Sequence, residues 1–256
     1  MTFPPSSPPS SPPSPPPSAN PPAVNAPRVV LWLIAALTVI HVIRQIIPES
    51  TDIAVLRYFA FIPARFTTEG LSHFGGLPAA LWSWVSYNFL HGGYGHLIVN
   101  AVWMLAFGSA VAWRVGPKRF MAFSLVCGGF GALFYLVFRW GAPYPMIGAS
   151  AMISGQMAAA IRFVFRDRGT FGSLGRGHSQ QRYVPLATVV EVFQDKRSFA
   201  FVAIWAVINL GIGISSLSFG GGIAWEAHIG GFVAGLLLFG YFDPPPPPNR
   251  SYFLVE

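Results

Sequence analysis

The chain has 256 residues, of which 53% are apolar and only 10% charged, with a formal net charge of +7. So little charge against so much apolar surface excludes an ordinary soluble domain and describes a polytopic membrane protein of one or two domains. The basic residues lie between hydrophobic segments, which excludes a nucleic-acid patch. The single cysteine, Cys127, excludes an intrachain disulfide and a Cys-based metal site.

Residues 1–27 are mostly Pro and Ser and predict a solvated, disordered tail. The tail lacks the basic n-region of a signal peptide, and Arg28 is the first basic residue, which argues against a transit peptide. A first hydrophobic segment spans about 29–47, with His41 and Arg44 near its far end. Residues 48–90 form a connection with scattered aromatics, a composition suited to the membrane interface. His73 lies there and receives no role.

The second segment follows His91-Gly-Gly-Tyr-Gly-His96-Leu-Ile-Val-Asn100 and runs to about Val115. A short basic turn at 113–119 leads to a third, uncharged segment over about 120–138. The fourth opens on Gly148-Ala-Ser150-Ala-Met-Ile-Ser154-Gly155 and runs to about Ile161, where Arg162 and Arg166 end it. A basic polar stretch, 162–198, precedes the fifth segment at about 199–214. A Gly/Ser-rich link joins this to the sixth, about 223–242, and five prolines follow at 244–248.

Two side chains stand out by depth. Ser150 precedes Arg162 by twelve residues, about 18 Å along a helix, and His228 precedes Asp243 by fifteen, about 22 Å. If both charges mark one face of a core about 30 Å thick, both groups lie roughly 8–12 Å below the other face. Small residues at 151, 155 and 159, and Gly231 with Gly235, suit close helix packing, the plain alternative reading of the serine motif. A histidine at matching depth turns the serine into a candidate nucleophile with a base. Counted back from Arg114, His96 and Asn100 stand about 27 and 21 Å up their helix, bracketing Ser150. They share a face and supply donors. A metal site from His91, His96 and His228 is a weaker rival, lacking carboxylate or thiolate help. So is Glu226 as a third member, since two residues before His228 it points elsewhere on a regular helix.

His91-x4-His96-x3-Asn100, GASAMISG and AHIGGFVAG, in this order along the chain, resemble the rhomboid intramembrane serine proteases across about residues 28–242. The resemblance implies an all-α membrane protein, a six-helix bundle with an interfacial first loop. It implies a Ser150–His228 dyad without an acid, and an oxyanion site from His96, Asn100 and the Ser150 backbone N–H. It implies cleavage of transmembrane protein substrates within the lipid bilayer, with no cofactor. The fifth helix and the loop after it correspond to a lateral substrate gate, with Gly220–Gly222 as its hinge. A catalytically weak or inactive rhomboid-like protein that binds membrane clients is the alternative. Two departures bear on it: Ala151 replaces the second Gly of GxSG, and Ser154 stands where some members stack a Tyr on the histidine. A soluble-hydrolase elbow is excluded because Met152 stands where G-x-S-x-G needs Gly.

Six spans put the tails 1–27 and 243–256, the 113–119 turn and the 162–198 stretch on one side. That side holds twelve of the sixteen Lys and Arg, Arg28 included; the other holds Arg44, Arg57, Arg65 and Arg139. Positive-inside then places both termini in the cytoplasm, with the serine opening outward; the resemblance, which is to the bacterial type, implies a bacterial inner membrane.

Overall fold

The computed structural model describes residues 25–166, 184–217 and 223–245. The Pro/Ser stretch to residue 24, the centre of the basic connection, the Gly-rich link at 218–222 and the Pro run from 246 on lie outside them. Helices dominate: α1 (Arg28–Ile46), α2 (Glu49–Phe59), α3 (Gly70–His73), α4 (Gly76–Ser86), α5 (Tyr94–Trp103), α6 (Ser109–Val115), α7 (Pro117–Phe138), α8 (Ser150–Val164), α9 (Val189–Gln194), α10 (Lys196–Leu217) and α11 (Trp225–Leu238). Among the described residues, β-type pairing is confined to one antiparallel bridge, Phe61 with Met146. Among the described residues, three rods are long and apolar enough to cross a membrane: α1, α5 through α6, and α7. With α8, α10 and α11 they make the six principal helices of an all-α membrane fold.

The second rod is not a plain α-helix. Met104–Gly108 forms a π turn between α5 and α6. There Gly108 faces α8 so closely that a β-carbon on it would lie 2.8 Å from Gln156 Oε1. Gln156 is fully buried and donates to Ser124 of α7 at 3.0 Å.

The first loop is built on Arg65. Its guanidinium is fully buried and donates to the carbonyls of Arg57, Ala60, Phe74 and Ala79, at 2.6 to 3.2 Å. One cation thus closes the ends of α2 and α3 onto α4 and satisfies backbone groups that the fold removes from water. Burial lowers its pKa to about 10. Leu77, Leu81 and Val85 leave an apolar ridge exposed on α4, as an interfacial structure requires. His41 and Arg44 face inward. Arg44 grips Asp52 with two nitrogens and donates to the His91 carbonyl.

At the other end, Arg114 binds Asp243 bidentately at 2.6 and 2.8 Å and donates to Val184 O. Arg162 donates to Ala187 O and to Leu236 O at the end of α11, where helix carbonyls lack partners. Both contacts place Arg114, Arg162 and Asp243 at one end of the bundle. Within the 162–198 stretch, read from sequence only as polar, α9 begins with Thr188 and Glu191 in a reciprocal capping box.

Candidate active site

Short helices create the site. α8 has 15 residues and α11 has 14, about 22 and 21 Å of rise. Neither fills a hydrocarbon core of about 30 Å, so their N-termini end inside the protein. Ser150 is the first residue of α8, and its N–H belongs to the first turn, which has no intrahelical acceptor.

The entry into α8 is stitched to the first loop. Phe61 and Met146 exchange backbone bonds at 3.0 and 2.8 Å, Ala64 N–H donates to Ala142 O, and Gly148 N–H donates to Tyr87 O. Gly148 then turns the chain with φ +122°, which side-chain-bearing residues rarely adopt. A β-carbon there would also stand 2.7 Å from His96 Nε2 and 3.7 Å from Ser150 Oγ. Gly148 is therefore the floor on which the serine and His96 meet.

α11 runs beside α8 in the same direction, at backbone contact. A β-carbon on Gly235 would lie 2.2 Å from the Gly155 carbonyl oxygen, and Gly231 makes the equivalent approach to Ala151. This register brings His228 Nε2 to 2.8 Å from Ser150 Oγ. The matched depths read from sequence meet in space.

Ala151 does not crowd the serine. Its methyl points at α7, where a β-carbon on Gly131 would stand 2.4 Å from it. The extra methyl relative to a GxSG motif is thus absorbed by a glycine on the neighbouring helix. Ser154 is buried, and the partner of the His228 ring comes from elsewhere: Asn209 Oδ1 of α10 lies 2.6 Å from His228 Nδ1. Asn209 went unremarked in the sequence. The depth arithmetic finds it, because Asn209 follows Arg197 by twelve residues, the spacing that separates Ser150 from Arg162.

Glu226 is not a third member. It is buried and bonds Arg139 of the α7 end at 2.5 Å, turned away from the ring as its helix phase requires. His96 is exposed and its Nδ1 accepts a long, 3.5 Å bond from Gly92 N–H. That bond leaves the proton on Nε2, the atom facing Gly148. Asn100 is buried and spends one amide hydrogen on His96 O, 2.9 Å away, leaving a second. His91 is fully buried, with its ring centroid 5.0 Å from that of His96. Its pKa is lowered to about 4, first by burial and then by His96 and His41. Among the described residues no three His, Cys, Asp or Glu side chains are grouped to hold a metal ion.

Fold and site together define an all-α integral membrane protein with a serine and a histidine hydrogen-bonded below its surface. The rhomboid domain model matches residues 78–243, more than half of the chain, and the chain belongs to the rhomboid family. It is 28% identical over 174 residues to the rhomboid protease GluP of Bacillus subtilis (strain 168), covering 66% of this chain and 28% of that protein. RHOMBOID-like protein 4 of Arabidopsis thaliana is 26% identical over 157 residues, covering 61% and 33%. Rhomboid-like protease 3 of Toxoplasma gondii is 24% identical over 227 residues, covering 87% and 72%. The chain therefore spans about a third or less of the length of the first two relatives.

Proposed function

We propose that the chain is an intramembrane serine endopeptidase that cleaves transmembrane segments of membrane proteins near the outer face. The carrying observation is the 2.8 Å contact between Ser150 Oγ and His228 Nε2. His228 takes the hydroxyl proton as Ser150 attacks the peptide carbonyl. His96 Nε2–H, the free Asn100 amide hydrogen and the Ser150 N–H hold the oxyanion. The tetrahedral species collapses to an acyl-enzyme, and the His228 proton leaves with the amine. A water entering past exposed His96 then attacks the acyl carbon and gives a proton to His228, which passes it to Ser150 Oγ as the Oγ–C bond breaks and the acid leaves. A helical substrate hides its peptide bonds in its own hydrogen bonds, so segments that unwind easily are the preferred substrates. The membrane domain covers 28–242, with tails 1–27 and 243–256 in the cytoplasm.

The test is fluorophosphonate labelling of detergent-solubilised protein together with cleavage of a model transmembrane substrate. Labelling and cleavage that both disappear in Ser150→Ala support the reading. A correctly folded wild type that neither labels nor cleaves supports the alternative, an inactive client-binding member.

A further inference from the structure

Asn209 sits in the middle of α10, between Ile208 and Leu210, both exposed on the outside of the bundle. A lone amide in such a helix is costly unless its hydrogen bonds are met. Both ends of this one are engaged. Nδ2 donates to Trp205 O at 2.9 Å, one turn back in its own helix, and Oδ1 faces His228 Nδ1 at 2.6 Å. The first bond fixes the amide, because a flipped amide would set its oxygen against the Trp205 carbonyl oxygen. Oδ1 can only accept. Nδ1 must therefore carry the ring proton, and Nε2 must present a bare lone pair to Ser150 Oγ. That is the tautomer a general base needs.

The register of the two helices holds the arrangement. Asn209 and Trp205 are four apart on α10, as His228 and Phe232 are on α11. Trp205 stacks on Phe232 with centroids 4.1 Å apart and planes 21° apart. One turn along, the amide meets the imidazole. The Trp205–Phe232 stack and the Asn209–His228 bond both join α10 to α11, and of these two only the second touches the reacting histidine.

We infer that Asn209 is a positioning residue that fixes the tautomer and ring orientation of His228, completing a hydrogen-bonded Ser150–His228–Asn209 chain without a carboxylate. The inference rests on the proteolytic reading above, but its primary readout does not. In ¹⁵N-histidine NMR spectra of the full chain in detergent, His228 should show a protonated Nδ1 in the wild type. Asn209→Ala should lose that pattern and become a mixture of tautomers. Fluorophosphonate acylation and kcat should fall about 10–100-fold, the loss seen when the partner orienting a functional histidine is removed, with KM little changed. Asn209→Asp keeps an acceptor at Nδ1 and should restore the pattern and most of the rate. Trp205→Leu removes the apolar fastening and leaves the backbone carbonyl in place. It should lower Tm while the folded fraction keeps its tautomer and acylation rate. An unchanged Nδ1 signal and wild-type acylation in Asn209→Ala would overturn the inference. So would a Trp205→Leu variant losing rate and stability in the same proportion as Asn209→Ala. A wild type with the Nδ1-protonated ring but no acylation counts against the proteolytic reading alone.

Discussion

A β-carbon on Gly231 would stand 2.0 Å from the carbonyl oxygen of Ala151. The residue after the serine and the residue one turn after the histidine therefore share one point of backbone contact. Gly231→Ala must push α11 off α8. Overpacking of this kind typically destabilises by about 1–3 kcal/mol, and the displacement carries His228 away from Ser150. The expected result is a lowered Tm and fluorophosphonate labelling lost even from the molecules that remain folded. Gly129→Ala on α7 is the matched control, since a β-carbon there meets nothing within 4 Å. Wild-type labelling by Gly231→Ala would show that the close approach does not set the Ser–His distance.

The same contact explains why the pair was legible in the sequence. α8 and α11 run in parallel, each carries small residues four apart, and each ends in a charge at the same end of the bundle. Counting from Arg162 and from Asp243 thus measured the same depth. Asn209 lies between Ile208 and Leu210 with no serine or histidine motif around it, so its distance from Arg197 is what marks it. Glu226 illustrates the opposite case. Its sequence proximity to His228 suggested a role, and its helix phase sends it to Arg139. The π turn at 104–108 has no local sequence pattern. It is a tertiary feature, visible only where Gly108 meets Gln156.

Loop charge gives a prediction about orientation. Twelve of the sixteen Lys and Arg, Arg28 included, fall with the termini, the 113–119 turn and the 162–198 stretch, so that side is expected to be cytoplasmic. A reporter fused after residue 256 and one inserted at 170–180 should both read cytoplasmic. An outside signal from either would overturn the six-span topology proposed for this chain.

His91 gives a prediction about pH. Its ordinary pKa is 6.5, and in the fold it falls to about 4, with His96, His41 and Arg44 opposing its charge alongside burial. The folded protein therefore keeps His91 neutral where the unfolded chain binds a proton. Its contribution to stability is present above about pH 6.5 and is lost as pH falls towards 4. Tm followed from pH 7 to pH 4.5 should decline in the wild type and decline less steeply in His91→Gln. Parallel curves for the two proteins would rule out His91 as a source of the acid sensitivity.

The oxyanion donors are the last test. His96 presents Nε2 at Gly148, beside the serine, and Asn100 holds its amide one turn further along. If they stabilise charge that exists only in the transition state, His96→Ala and Asn100→Ala should lower kcat far more than they raise KM. Loss of one such donor typically reduces kcat by about 10²–10³. His96 is expected to show the larger effect, because its Nδ1 already accepts from Gly92 and its Nε2–H is directed at the site. Asn100 has one amide hydrogen committed to the His96 carbonyl of its own helix, so only the second is available to an oxyanion. A packing role for Asn100 would be worth about 1 kcal/mol in a membrane helix and would appear as a lowered Tm with turnover intact. A catalytic role gives a near-normal Tm, a reduced kcat and slower acylation by fluorophosphonate. Asn100→Ala with wild-type turnover and reduced stability would remove Asn100 from the site and leave His96 and the Ser150 N–H to hold the oxyanion.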